Sequence, residues 1–156
     1  MVAKPKLSVV PNDEIQVNYG DAILVPDGHY EAVFVRHGTT LVFGKQPSVW
    51  LRFRIVTPGE YFDKELVRWY RVACLKGKPR EDGGFTLRHR SLLFLELVRL
   101  SGFKQKPSRV SLSVLRGRAF EISTRTVKQS WDQHADMSDW QHYSVVDRIL
   151  RPTTGQ

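Results

Sequence analysis

One eight-residue run, V-W-L-R-F-R-I-V at positions 49–56, places an aromatic ring among arginines at a spacing that suits nucleic-acid binding. Successive side chains of a strand point to opposite faces, so the apolar odd-numbered residues of this run share one face. Trp50, Arg52, Arg54 and Val56 share the other face. Rings that stack on bases and guanidinium groups that hold phosphates are what a single-strand binding surface requires. The alternative interpretation is a Trp50 half buried under a loop, with arginines that are ordinary surface charge.

A second aromatic and basic run, L-V-R-W-Y-R-V-A at 66–73, predicts another strand of similar composition. Its alternation places Arg68 and Tyr70 on one side and Trp69 and Arg71 on the other. Apolar residues near both ends of the run share the side of Arg68 and Tyr70, which favours Trp69 and Arg71 as the exposed pair. The opposite assignment stays open, because the period alone does not identify the side that faces a ligand.

Further candidate contacts lie outside these two runs. They are Lys76 and Lys78 in the glycine-rich segment 76–84, Arg118 and Arg125 in the next predicted strand, and Trp131 in a polar loop. Charges in loops are usually solvated surface, so we expect phosphate contact from them less than from the two strands. Trp131 can either clamp a bound strand or pin its own loop to the domain.

The charge balance of the chain favours a polyanionic partner. There are 24 Lys and Arg against 16 Asp and Glu in 156 residues, which gives a net charge of +8 and a pI of 9.9. Such an excess is the electrostatic footprint of a nucleic-acid binder, although many small basic proteins bind nothing anionic. The single cysteine, Cys74, excludes an internal disulfide, and no apolar run approaches the ~18 residues that span a bilayer. We expect a cytoplasmic protein with no membrane partner, because the N-terminus lacks a hydrophobic signal region.

Motifs of enzymes and metal sites are not found in the sequence. The five histidines have no repeated ligand spacing, and a single cysteine cannot complete a zinc site. Asp132, Asp136 and Asp139 cluster in one loop but lack the glycine and the terminal glutamate of an EF-hand. No glycine-rich phosphate loop, G-x-S-x-G turn or H-E-x-x-H helix occurs. We therefore expect no cofactor, no metal and no enzymatic activity.

The elements that must position these residues form one domain. We predict an extended arm over 1–26 with a short strand near 22–25, a domain over 27–150, and a frayed tail over 151–156. Strands are predicted at 29–37, 49–56, 66–73, 118–127 and 143–150, loops at 38–48 and 76–84, and a leucine-rich helix at 91–102. Three strands, a helix and two strands are the order of an OB-fold, a five-stranded Greek-key barrel that binds oligonucleotides on strands two and three.

The same residues carry a resemblance to a group of known proteins. The segments are D-G-H-Y-E-A (27–32), F-G-K (43–45), W-L-R-F-R-I-V (50–56), E-L-V-R-W-Y-R-V (65–72), R-V-S-L-S-V-L-R-G-R-A-F (109–120) and Y-S-V-V-D-R-I-L (143–150). Over 27–150 the chain resembles small proteins of bacterial integrative elements and plasmids, and its layout is similar to OB-fold single-stranded-DNA-binding proteins of phages. The resemblance implies single-stranded DNA binding during replication or transfer of a mobile genetic element. The chain departs from housekeeping single-strand binders in ending at T-T-G-Q rather than in an acidic tail, so we do not expect recruitment of partners through such a tail.

Two hypotheses follow. The first is a non-enzymatic protein that binds single-stranded DNA with little sequence specificity; RNA as the ligand and self-association through exposed strand edges stay open. The second is a protein-interaction adaptor or inhibitor that uses the same barrel face on an acidic protein partner.

Overall fold

The computed structural model of the protein describes residues 23–101, 111–128 and 142–153. These residues form seven strands, one α-helix and a single 3-10 turn, which spans Ser113–Leu115. The elements in chain order are β1 (His29–Val42), β2 (Gln46–Ile55), β3 (Glu65–Arg71), β4 (Cys74–Lys76), β5 (Gly84–Thr86), α1 (Leu92–Ser101), β6 (Ala119–Val127) and β7 (Tyr143–Pro152).

Five of the strands form one antiparallel sheet in the order β3-β2-β1-β6-β7. β1, β2 and β3 are consecutive neighbours, and β6 returns to lie beside β1, which is the order of a Greek key. The sheet is not closed, because β3 and β7 form its two edges and share no ladder. The short strands β4 and β5 pair separately as a hairpin.

β1 is the central strand and changes partners along its length. Its first five residues pair with β6, whereas the whole strand from Ala32 onward pairs with β2. A bulge between Phe34 and Arg36 bends the strand at the point where β6 leaves it. Beyond the bulge, the loop between β4 and β5 lies along the edge of β1 that no longer pairs with β6. Two backbone hydrogen bonds join them: Thr39 N donates to Arg80 O at 2.9 Å, and Asp82 N donates to His37 O at 2.9 Å.

The hydrophobic core lies between α1 and one face of this sheet, called the inner face below, which carries Val49, Leu51, Phe53 and Ile55 of β2. β2 buries its odd-numbered residues there and β6 buries Phe120 and Ile122, as the alternation predicts. The helix contributes Leu93, Phe94, Leu97 and Leu100. Ser91 caps it, since the Ser91 hydroxyl accepts from the backbone N–H of Phe94 at 3.3 Å.

The structure confirms a mainly β fold with one principal helix, and it corrects several predicted boundaries. β1 continues to Val42 through much of the segment predicted as a loop, and the β4–β5 hairpin lies in the segment around 76–84. β7 extends through Pro152, two residues into the predicted frayed tail. Residues 23–25 form no strand. They are nevertheless attached to β7, because the Ser144 hydroxyl accepts from the backbone N–H of Val25 and donates to its carbonyl oxygen. Most of the predicted arm lies outside the described residues.

Among the described residues, no helix is both long enough and apolar enough to cross a membrane.

Candidate nucleic-acid interface

The side of β1, β2 and β3 that faces away from α1, called the outer face below, carries five of the twelve predicted contacts: Trp50, Arg52, Arg54, Trp69 and Arg71. Directly opposed residues on neighbouring strands share a face, so the register orders this surface into rows. One row runs Gly38, Trp50 and Trp69 across the three strands. The next two rows are Arg36, Arg52, Val67 and Thr40, Ser48, Arg71.

Trp50 lies on the outer face as predicted, but it is buried, with only 5% of its surface exposed. The indole lies over Gly38, where a Cβ atom would meet its ring at 2.2 Å, and the Arg52 guanidinium lies 4.9 Å from the ring centroid. It stands apart from the cluster of residues that form the main core. The expectation that Trp50 stacks on bases is therefore wrong. The missing side chain at Gly38 provides the space that buries it.

Trp69 and Arg71 occupy the exposed side of β3, which is the assignment that the sequence favours. Trp69 is half buried and Arg71 is exposed. Within the described residues, no carboxylate lies within 4.0 Å of the Arg71 guanidinium. A partly open indole two residues from an unpaired cation is the arrangement that stacking on a base and holding its phosphate requires.

Arg52 and Arg54 are half exposed on β2, and each lies near a surface carboxylate. The distance is 3.9 Å from Arg52 to Glu65 and 3.4 Å from Arg54 to Asp63. Exposed ion pairs of this kind contribute only ~0–1 kcal/mol each, so a phosphate can exchange with the carboxylate at little cost. The two arginines remain candidate phosphate contacts.

Arg36 belongs to the same surface, although it is not among the contacts predicted from the sequence. It lies directly opposite Arg52 on the neighbouring strand and contacts Glu81 at 3.1 Å. Like charges in directly opposed positions destabilise a sheet, and an anion between them relieves the repulsion. Arg36 was missed because the pairing of β1 with β2 depends on the bulge, which the local pattern does not reveal.

Arg68 and Tyr70 lie on the inner face of β3, so the structure does not bring these two predicted contacts together with Trp69 and Arg71 on the outer face. The Tyr70 hydroxyl donates to Glu96 of α1, and the Arg68 guanidinium lies 4.6 Å from the Tyr70 ring. Burial raises the pKa of Tyr70 above its usual value of 10.0 and the pKa of Glu96 above 4.5. These three residues form a buried polar cluster that links β3 to the helix.

The remaining predicted contacts are dispersed. Lys76 and Lys78 are exposed on the β4–β5 hairpin and its loop. The Arg118 guanidinium lies 5.6 Å from the ring of the buried Phe120, and Arg125 pairs with Asp147 at 3.1 Å on the β6–β7 part of the sheet. Trp131 lies outside the described residues. The structure thus groups Arg52, Arg54, Trp69 and Arg71 on the outer face, but not these other residues.

A further candidate that the sequence pattern does not indicate is Phe43, an aromatic residue at the tip of the β1–β2 hairpin. Phe43 and Gly44 both have positive φ, 55° and 70°, and Lys45 N donates to Val42 O at 3.1 Å. This is a type I′ turn, whose first central position prefers Asn, Asp or Gly. A bulky side chain in that conformation costs ~1–3 kcal/mol, and such strain concentrates at functional sites. The Phe43 ring is 54% exposed, at the end of the sheet where β2 pairs with Arg71.

The described residues contain no group of three or more His, Cys, Asp or Glu arranged to hold a metal ion. Comparisons of the chain with protein-family models, with curated protein sequences and with solved structures found no match.

Proposed function

We propose that this protein binds single-stranded nucleic acid, DNA in preference to RNA, on the outer face of β1, β2 and β3. The sheet is proposed to be a partly open barrel of the OB type. Its Greek-key order and the position of α1 between β3 and β6 support this assignment. OB-type barrels bind oligonucleotides on strands two and three and on the loop between strands one and two. A role in replication or transfer of a mobile element rests on the sequence resemblance alone.

Phe43 is the observation that carries the proposal. It is 54% exposed and stands at a turn position that disfavours bulky residues, and backbone strain of this kind concentrates at functional sites. Phe43 belongs to the β1–β2 loop, which also contains Lys45. In the proposed complex, Phe43 and Trp69 stack on bases while Arg71, Arg52 and Arg36 hold phosphates.

The test is a fluorescence-anisotropy titration with labelled oligothymidylate of ~30 nucleotides, longer than the ~4–16 that one OB domain covers. Phe43→Asn places a preferred residue in the type I′ turn and removes the ring. We expect this variant to bind about 5- to 150-fold more weakly, the equivalent of one lost stack of ~1–3 kcal/mol, while its unfolding midpoint rises.

The matched control is Phe62→Ala, because Phe62 is equally exposed, at 53%, but lies in the connection between β2 and β3. Its loss should leave the affinity unchanged. Arg71→Ala should weaken binding and reduce the slope of log affinity against log salt by about 0.7, as expected for one phosphate contact to a single strand. Unchanged binding in both Phe43→Asn and Arg71→Ala would remove the outer face from the site.

A wild-type protein that does not bind the oligonucleotide at low salt would refute the function altogether. Capture of a specific acidic protein under the same conditions would then support the adaptor hypothesis. Titrations with duplex DNA and with an RNA of the same sequence test the proposed preference for single-stranded DNA.

A further inference from the structure

Two carboxylates flank the opposed arginines of the outer face, one on each side. Arg36 and Arg52 face each other across β1 and β2. Glu81, in the loop between β4 and β5, contacts Arg36 at 3.1 Å, and Glu65, the first residue of β3, lies 3.9 Å from Arg52. The four side chains are between 36% and 61% exposed. An anion that approaches either guanidinium from solvent therefore meets a carboxylate that is already beside it.

The backbone of the β4–β5 loop fixes the position of Glu81 beside Arg36. Glu81 forms an isolated antiparallel bridge with Gly38 of β1, and the backbone hydrogen bonds that join its neighbours Arg80 and Asp82 to β1 are each 2.9 Å long. Because the backbone is anchored, only side-chain rotations are restricted when the ion pair forms. The pair between Glu81 and Arg36 is therefore favoured over a pair made by a carboxylate on an unanchored loop.

Arg54 repeats this arrangement further along β2, whereas Arg71 of β3 does not. Asp63, in the connection between β2 and β3, lies 3.4 Å from the Arg54 guanidinium, and Glu65 is directly opposite Arg54 in the register of the two strands. Within the described residues, Arg71 has no carboxylate within 4.0 Å of its guanidinium. The outer face therefore has an open cation at Arg71 and a group of arginines whose charge is neutralised by the protein itself.

A carboxylate and a phosphate compete for the same N–H groups of a guanidinium, because both accept charged hydrogen bonds. An exposed ion pair is weak, so each one lowers the affinity for a competing phosphate by no more than about 5-fold. The displaced carboxylate also attracts counterions from solution, so the exchange releases fewer ions than phosphate binding to an unpaired cation does. Affinity and salt dependence should both be lower than the number of arginines suggests.

We propose that Glu81, Glu65 and Asp63 are internal competitors that occupy the arginines of the outer face in the unbound protein and limit the affinity and residence time of a bound strand. The inference rests on the proposed function and concerns the regulation of that same site. A strand binds first at Arg71, where no carboxylate has to leave. When the strand dissociates, each carboxylate returns to its arginine, which accelerates release.

The experiment measures binding of the same oligothymidylate to Glu81→Gln, Glu65→Gln and Asp63→Asn; asparagine tolerates the φ of 74° at position 63. Each variant should bind up to about 5-fold more tightly than wild type, and dissociation in stopped-flow measurements should slow by the same factor. The slope of log affinity against log salt should become steeper by up to about 0.7 for each neutralised carboxylate.

Asp147→Asn is the matched control, because Asp147 makes the same kind of exposed ion pair, 3.1 Å from Arg125, on the β6–β7 part of the sheet. It raises the net charge as much as Glu81→Gln does, so long-range attraction should speed association equally in both variants. Only Glu81→Gln should slow dissociation. In an Arg36→Ala background, Glu81→Gln should no longer change the affinity, because the guanidinium that Glu81 occupies is absent.

Inorganic polyphosphate, which has phosphates but no bases, separates this proposal from the proposed function. A wild type that does not bind the oligonucleotide, but binds polyphosphate more weakly than Glu81→Gln does, would refute the function and support the internal competitors. Oligonucleotide binding that Glu81→Gln and Asp147→Asn change equally would overturn the competitors and leave the function intact. An effect of Glu81→Gln that persists in the Arg36→Ala background, or a wild type that binds neither polyanion, would also overturn them.

Discussion

Replacing Gly38 with alanine should destabilise the protein, because a Cβ atom there would collide with the indole of Trp50. An ideal Cβ would lie 2.2 Å from Cζ2, 2.5 Å from Cε2 and 2.8 Å from Nε1 of that ring, whereas real Cβ atoms essentially never approach other heavy atoms closer than 3.0 Å. The contact is with a rigid ring in a paired strand, so relief requires movement of the indole or of β1 itself.

Two opposing effects set the magnitude. Gly38 does not have a left-handed backbone, so alanine would gain ~0.4–1 kcal/mol by restricting the unfolded chain. Overpacking of a well-filled site costs ~1–3 kcal/mol. The steric cost is the larger, and we expect a net loss of about 1–2 kcal/mol in the free energy of unfolding.

The assay is urea unfolding followed by far-ultraviolet circular dichroism, which does not depend on tryptophan. Trp50→Leu removes the ring with which the new Cβ atom collides, so Gly38→Ala should lower the free energy of unfolding only slightly in that background. The coupling energy between the two substitutions should be at least ~1 kcal/mol. Gly28→Ala is the control, since its nearest neighbour, Cε2 of Tyr30, would lie at an ordinary 3.9 Å. A Gly38→Ala variant as stable as wild type, or equally destabilised in both backgrounds, would refute this account of the buried indole.

Three further predictions concern polar contacts at Glu96, Arg99 and Ser144. Glu96→Gln keeps an acceptor for the Tyr70 hydroxyl. Burial raises the folded-state pKa of Glu96, so protonation of this carboxyl stabilises the folded state. That stabilisation is fully present below pH 4.5 and is lost as the pH rises through the raised pKa. Urea unfolding at pH values from 4.5 to neutral should therefore show wild type losing stability relative to Glu96→Gln, and a pH-independent difference would contradict the shift. Arg99→Met should lower the unfolding free energy by about 0.5–1.5 kcal/mol, since the carbonyls of Ile149 and Leu150 in β7 lose their donor and water replaces it in part; Arg88→Met, at another exposed arginine, is the control. Ser144→Ala should raise amide hydrogen exchange at Val25, whose buried N–H donates to the Ser144 hydroxyl at 2.9 Å; unaltered protection there would show that the contact is dispensable.

Local patterns were sufficient to predict the long strands and the helix. The alternation of 49–56 and of 118–127 reflects strands with one face on the core, and Ser91 identified the start of α1. The pattern failed where structure depends on distant residues. β4 and β5 have three residues each, too few for a period to emerge, and their pairing is fixed by the β1 edge that the β6 strand leaves.

In the candidate site, too, the local pattern predicted some features, whereas others depend on residues that are distant in the chain. The alternation and the apolar residues at the ends of the run favoured Trp69 and Arg71 as the exposed pair of β3 but left the opposite assignment open; in the structure Tyr70 is buried and Arg71 is exposed. It could not show that Trp50 is buried, because the space for its ring comes from Gly38, which becomes its neighbour only through the β1–β2 register. Phe43 escaped notice because its turn lacks the Asn-Gly or Asp-Gly signature by which type I′ hairpins are recognised.

The open sheet leaves two outer strands with unpaired peptide groups, a condition that invites strands of other molecules to add on. The chain protects both. On β7, the guanidinium of Arg99 occupies the carbonyls of Ile149 and Leu150. On β3, Arg68 directs a positive charge toward the inner face, and an incoming strand would have to dehydrate it further. Neutralising Arg68 and Arg99 together should therefore make the protein prone to fibrillar aggregation, even under conditions in which each monomer remains folded.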